Sequence, residues 1–260
     1  MKRFTIGLAV LLAACGGGGD QAASEGGGDA SKAPAGGGAA ATGTMGTATI
    51  SGTVNFTGTA PANPPIDMNE EPQCKAKHTG QPTDPEVVVN NGKLANVFVY
   101  VKSGLPAGAT FTAPSEPVVL DQDGCLYTPR VFGAMVGQPI EIRNSDPLLH
   151  NIKAVPQENR GFNISQPSQG MKTTRTFNTA EVMVPFECNV HSWMNAWVGV
   201  MSHPFFATSG EDGSFRIQGL PAGTYEIEAW HEKFGTKTAT VTVPDGGSGT
   251  AEFTFASTST

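Results

Sequence analysis

An all-β fold of two sandwich modules behind a structureless leader is what this sequence predicts, and three observations lead there. Stretches such as TATISGTVNF (47–56) and KTATVTV (237–243) alternate apolar with small polar residues, as half-buried strands do. Such stretches are short and follow one another closely, with turns rich in glycine and proline between them. No long run repeats with a helical period, and Val and Thr, which suit a pleated surface, are common. With 260 residues the chain can build one large domain or two small ones. Its formal net charge of −7, without a basic patch, argues against nucleic acid as a partner.

The N-terminus reads as an address. MKRFTIGLAVLLAAC opens with Lys2 and Arg3 and continues with an apolar run too short to span a bilayer. Residues 1–14 are therefore expected to be a signal peptide. LAAC, ending at Cys15, resembles the bacterial lipoprotein signal, in which the cysteine becomes lipidated. The alternative is an ordinary signal with an incidental cysteine. Gly16 rather than Asp follows Cys15, which by the same resemblance favours the outer membrane. Residues 15–46 are nearly all Gly, Ala, Ser and Thr, a composition that cannot offset the entropy of ordering, so a flexible tether is expected.

After TATISGTVNF comes a Pro-, Asn- and Asp-rich stretch (57–85) read as a long loop, then the strand LANVFVYVK (94–102). PVVLDQ, RVFGAMVGQPIEIRNSD with a turn at 136–139, KTTRTFNT, VMVPFEC and AWVGVM supply further short strands up to residue 201. GSFRI, GTYEIEAWH, KTATVTV and TAEFTF complete the series. In the tail, Asp212, Gly213, Phe215, Gly219, Leu220, Pro221, Gly223 and Tyr225 fall at the spacing Asp-Gly-x-Phe then Gly-Leu-Pro-x-Gly-x-Tyr. This resembles the carboxypeptidase regulatory-like, or transthyretin-like, sandwich. Ile50, Gly52 and Val54 resemble that family's opening strand. The resemblance implies a module split into 47–103 plus 203–257, with 104–202 inserted as a second domain; a serial arrangement is the alternative.

FECNVHSWMNAWVGVM (186–201) carries the chemistry. Cys188, His191 and Met194 stand at Cys-x2-His-x2-Met spacing, and His150 lies upstream in a polar turn. Two imidazoles, a thiolate and a soft thioether are the donor set of a His2Cys copper site with a weak axial ligand. Zinc competes for Cys and His, but a thioether adds little for zinc. The bland alternative is a set of buried core residues. These residues and GQPIEIRNSDPLLHN (137–151) resemble the cupredoxins, with the ligand-loop spacing of amicyanin-type members. Those carry prolines around the second histidine, where Val190 and Ser192 stand here. The resemblance implies one type 1 copper held by His150, Cys188, His191 and Met194. It implies that Asn151 braces the two ligand loops, and that the edge of His191 is open to solvent, ringed by Pro147, Leu148, Leu149 and Trp193.

Cys74 and Cys125 remain, and in an exported chain they are expected to form a disulfide. The alternative is a second metal site built on Cys74 and His78. His203 and His231 read as structural, with Trp230 in the core and His231 on the opposite face. Trp193 and Trp197 read as packing that keeps water from the metal. No nucleophile motif, phosphate loop or carboxylate pair stands out, so a non-enzymatic electron carrier is expected. It would be monomeric, lipid-anchored to a membrane facing the periplasm or cell surface, and served by redox partner proteins. The alternatives are copper storage or sensing without electron transfer, and a carbohydrate- or protein-binding module. Tracts of Met or His and an exposed aromatic row, which those would want, are not evident.

Overall fold

The computed structural model describes residues 44–257. The signal peptide, Cys15 and nearly all of the tether therefore lie outside the described residues. Among those described, no helix is long and apolar enough to cross a membrane.

The chain opens with β1 (Ala48–Thr57), whose Ala48, Ile50, Val54 and Phe56 are buried in alternation with less buried residues. The stretch 57–85, expected to be plain loop, contains the short helix α1 (Pro72–Lys75) and an isolated bridge between Pro65 and Thr83. Pro72 initiates the helix because its missing N–H costs nothing in a first turn. Then come β2 (Val89–Asn90), β3 (Lys93–Leu94) and β4 (Phe98–Ser103). The middle of the chain holds β5 (Val118–Asp123), β6 (Leu126–Thr128), β7 (Val131–Met135), β8 (Ile140–Asn144) and β9 (His150–Ala154). It continues with β10 (Phe162–Gln166), β11 (Lys172–Arg175), β12 (Glu181–Glu187) and β13 (Asn195–Met201). The tail forms β14 (Phe206–Thr208), β15 (Ser214–Leu220), β16 (Gly223–His231), β17 (Gly235–Val243) and β18 (Ser248–Ala256).

These strands make two sandwiches, so the all-β expectation holds. In the first, one sheet runs β15-β1-β3-β2 with β18 parallel to β1, and the other runs β14-β4-β16-β17. Ile50, Val99, Phe205, Ile217, Ile227 and Phe253 fill the space between them. Its strands come from both ends of the described chain. The second sandwich uses β5 to β13, with sheets β10-β9-β12-β13-β7 and β11-β8-β5-β6 around Leu120, Ile142, Ile152, Phe186 and Val198.

Paired glycines let the sandwiches meet. Gly133 on β7 and Gly199 on β13 are register partners, and Phe98 of β4 lies against both. A Cβ at Gly199 would sit 2.4 Å from the Phe98 ring, so only glycine leaves room. At the edge of this contact Arg130 bonds Glu232 and Asp84, and Trp197 packs against Trp230 with the rings tilted and their centroids 5.2 Å apart. Trp197 thus serves this junction, and His231 is fully buried while Trp230 is only half-buried, the reverse of the expected orientation.

Candidate metal centre

Antiparallel pairing of β12 with both β9 and β13 brings the ligand loops to one end of the second sandwich. Phe186 opposes Ala154 and Glu187 opposes Lys153, so the residues following β12 reach the start of β9, where His150 stands. Cys188 through Met194 form a closed loop: the Cys188 N–H donates to the Met194 carbonyl (3.2 Å), and the Met194 N–H to the His191 carbonyl (3.0 Å). The His191 N–H points at Cys188 Sγ, 3.4 Å away.

This folding gathers the donors. Ligand atoms of His150, Cys188 and His191 lie within 4.8 Å of one another, all buried. The Nδ1 atoms of the two imidazoles face each other at 2.9 Å. Met194 is fully buried in the same core cluster. Asn151 ties the loops together: its Oδ1 accepts the Asn189 N–H at 2.6 Å and lies 3.3 Å from Cys188 Sγ, while its Nδ2 donates to Asn163 Oδ1.

One partner was missed. Asp146, fully buried, sits with Oδ2 2.8 Å from His150 Nε2. Burial alone would raise its carboxyl. Hydrogen bonds from His150, Lys77 and the N–H groups of Cys125 and Gly124 overcome that and hold it well below the usual carboxylate range. Because the carboxylate accepts from Nε2–H, the His150 tautomer is set and Nδ1 keeps its lone pair for a metal. A carboxylate four residues before a candidate ligand histidine, in the same polar turn, was the signal in the sequence. For Cys188, burial opposes ionisation, but hydrogen bonding to His150 and His191 and to N–H groups of Asn151 and His191 brings the thiol down to about 5. The thiolate, the form that binds metal, is thereby favoured near neutral pH.

The hub of the surroundings is the Gly124–Cys125 turn between β5 and β6. Both residues have positive φ (65° and 56°), as a two-residue hairpin turn of the primed type needs. That conformation aims both N–H groups at Asp146 and turns the Cys125 carbonyl to the Trp193 indole N–H, 2.9 Å away. Cys125 is disulfide-bonded to Cys74. His78 bonds the Gly124 carbonyl at 2.7 Å, and with Cys74 so engaged the pair does not form a separate metal site.

His191 departs from expectation: it is only 1% exposed. Residues of the 67–71 segment cover it, and Leu148 and Trp193 pack on the core instead of framing an open ring edge, although Leu149 is exposed.

The donor set fits a copper ion on chemical grounds: nitrogens of two imidazoles and a favoured thiolate converge, with a thioether in the closing loop. A family model for the carboxypeptidase regulatory-like domain matches residues 198–256. Among solved structures, the Cu-containing nitrite reductase from Thermus scotoductus SA-01 aligns with 47% of this chain at 19% identity and a TM-score of 0.32. The alignment spans 27% of that enzyme's length. A purple cupredoxin from Nitrosopumilus maritimus aligns with 32% of this chain and 98% of its own, at 19% identity and a TM-score of 0.28. A Cu(I) variant of amicyanin aligns with 39% and 97%, at 18% identity and a TM-score of 0.30. No curated protein matches the sequence.

Proposed function

We propose that residues 104–202 hold one type 1 copper ion through His150, Cys188, His191 and Met194, and that the chain carries single electrons between redox partner proteins. The observation behind this reading is the convergence of the two Nδ1 atoms on Cys188, with Asp146 fixing the His150 tautomer. Bound copper would supply a one-electron Cu(II)/Cu(I) couple. The protein's part is to keep the pocket unchanged between the two states. Asn151 links the two loops, the 188–194 loop closes on itself, and Trp193 is anchored to Cys125. Burial of all four ligand residues excludes water. The regulatory-like sandwich, 47–103 plus 203–257, is a non-enzymatic scaffold in this reading, and a lipid on Cys15 would anchor the chain to the outer membrane.

Copper titration of the purified chain tests it. One equivalent should give an intense visible band from thiolate-to-copper charge transfer, and the loaded protein should cycle reversibly by one electron. Cys188→Ser should remove the band. Several copper equivalents bound without colour would favour storage, and preference for zinc would defeat the copper reading.

A further inference from the structure

The segment that covers His191 is acidic. Asp67, Glu70 and Glu71 line an open cavity of about 360 Å³ together with Val190, His191 and Trp193. His191 Nε2 is buried there without a hydrogen-bond partner. Glu71 Oε1 lies 3.8 Å from it, beyond hydrogen-bonding distance. With Nδ1 turned inward to His150, Nε2 is the ring nitrogen left to the cavity. A buried polar atom without a partner is costly, so the cavity has the form of a site completed from outside the chain.

The charge of the cavity is not balanced from within. Lys75, the cation closest in sequence to these acids, donates to Asn69 (2.8 Å), and Lys77 is engaged by Asp123 and Asp146. Asp67 accepts the Asn69 N–H, and among the described residues no lysine or arginine pairs with Glu70 or Glu71. The Cys74–Cys125 disulfide, just beyond Glu71, anchors the backbone of this segment to the β5–β6 hairpin beside the ring. An apolar partner pressing on this face would have to desolvate the carboxylates without return. A partner bringing a lysine or arginine would gain charge-assisted hydrogen bonds instead.

We infer that this cavity is a docking port for a positively charged redox partner, whose lysine or arginine side chain enters beside His191 and pairs with Glu70 and Glu71. The inference rests on the electron-carrier reading. It places the contact against the His191 ring, which lines the cavity and turns its Nδ1 to His150. Steering by such charges raises association rates about 10- to 1,000-fold at low salt and fades as salt increases.

Two arms test the port on the full chain. In the first, copper-free protein is titrated with hexaamminecobalt(III), a cation that carries its own ligands, and followed by NMR. Signals of the 67–71 segment and the Trp193 indole N–H should move, and in Glu70→Gln/Glu71→Gln they should stay still. Shifts confined to other acidic residues would overturn the proposal. In the second, the copper-loaded protein is reduced by cationic hexaammineruthenium(II) or by anionic ascorbate. The double variant should keep its visible band, react about tenfold more slowly with the ruthenium cation and lose its salt dependence, and react no more slowly with ascorbate. Unchanged rates with both, or an equal fall with both, would overturn it. Stoichiometric Zn(II) binding abolished by the same variant would make the cavity a metal site and overturn it too. A colourless copper-loaded protein would defeat the electron-carrier reading alone, and the NMR arm would still decide the port.

Discussion

Asp146 Oδ2 and His150 Nε2 lie 2.8 Å apart with both side chains fully buried. The carboxylate also accepts from the N–H groups of Gly124 and Cys125 and pairs with Lys77 Nζ at 2.8 Å. It therefore positions the imidazole from a fixed point in the opposite sheet's hairpin. Asp146→Asn should lower copper affinity about 10- to 100-fold, the usual cost of removing a partner behind a ligand. Competition with a chelator would measure this. The visible band of the fully loaded variant should shift or broaden, which loss of stability alone would not cause. Lys77→Met should weaken affinity less, because three donors to Asp146 remain.

The disulfide joins helix α1 to the β5–β6 hairpin, and its sulfurs and one His191 ring nitrogen lie within 4.8 Å of one another. The double replacement Cys74→Ser/Cys125→Ser should cost about 2–5 kcal/mol in denaturant unfolding. It should also free the 67–71 segment, so that the His191 ring becomes accessible to solvent. Slower exchange of the Trp193 indole proton in the disulfide-bonded protein than in the double variant would show this. Equal exchange would mean that the Trp193–Cys125 hydrogen bond holds the region unaided.

Gly199→Ala places a methyl 2.4 Å from the Phe98 ring, where Met183 also closes in at 2.9 Å. Overpacking of this kind costs about 1–3 kcal/mol. The contact joins the two sandwiches, so the loss should appear in a single unfolding transition read by both halves. A variant that lowers the transition of one half alone would show that they unfold separately.

How far the sequence could be read follows the range of the interactions. Alternation in β1 and β16 needs only neighbours on one strand, and both came out as strands. The Cys-x2-His-x2-Met spacing is likewise local, and the loop closes over those residues. What failed depended on distant partners. His150 was placed in a turn but begins β9, because pairing with β10 extends the strand to it. β10 does alternate, with exposed Asn163 and Ser165 between half-buried Phe162 and Ile164 and buried Gln166, but it has only two apolar residues and ends on a polar one that tertiary contacts bury. The covering of His191 comes from residues more than a hundred positions upstream, which no spacing rule connects to it. Asp146 was within reach of local reasoning, but its importance lies in the hairpin N–H groups that hold it.

His231 should make the fold sensitive to mild acid. The ring is fully buried against Phe234, with centroids 4.8 Å apart, and near Phe255. Its Nδ1 accepts the Lys233 N–H at 3.1 Å, so the proton of the neutral ring sits on Nε2, which has no partner. A second proton would have to go to Nδ1 and would break that hydrogen bond. Burial is the main cause that lowers the histidine to about 4; Glu86 opposes the fall, and Arg130 and Lys233 assist it. The unfolded chain protonates this histidine near its ordinary value of about 6.5. Between those two values the unfolded state binds more protons than the folded one, so stability falls as pH falls. Above about 6.5 both states are neutral and the group contributes no slope. A depression of this size corresponds to about 3 kcal/mol by the time the folded ring titrates. His203, also lowered chiefly by burial, acts in the same direction. His231→Asn keeps an acceptor for the Lys233 N–H and removes the titration. Denaturant unfolding at about pH 7 and about pH 5 should show a clearly smaller loss in the variant, even if the variant is less stable throughout, because unfolded carboxylates titrate mostly below that window. An equal loss in both proteins would assign the acid sensitivity to other groups.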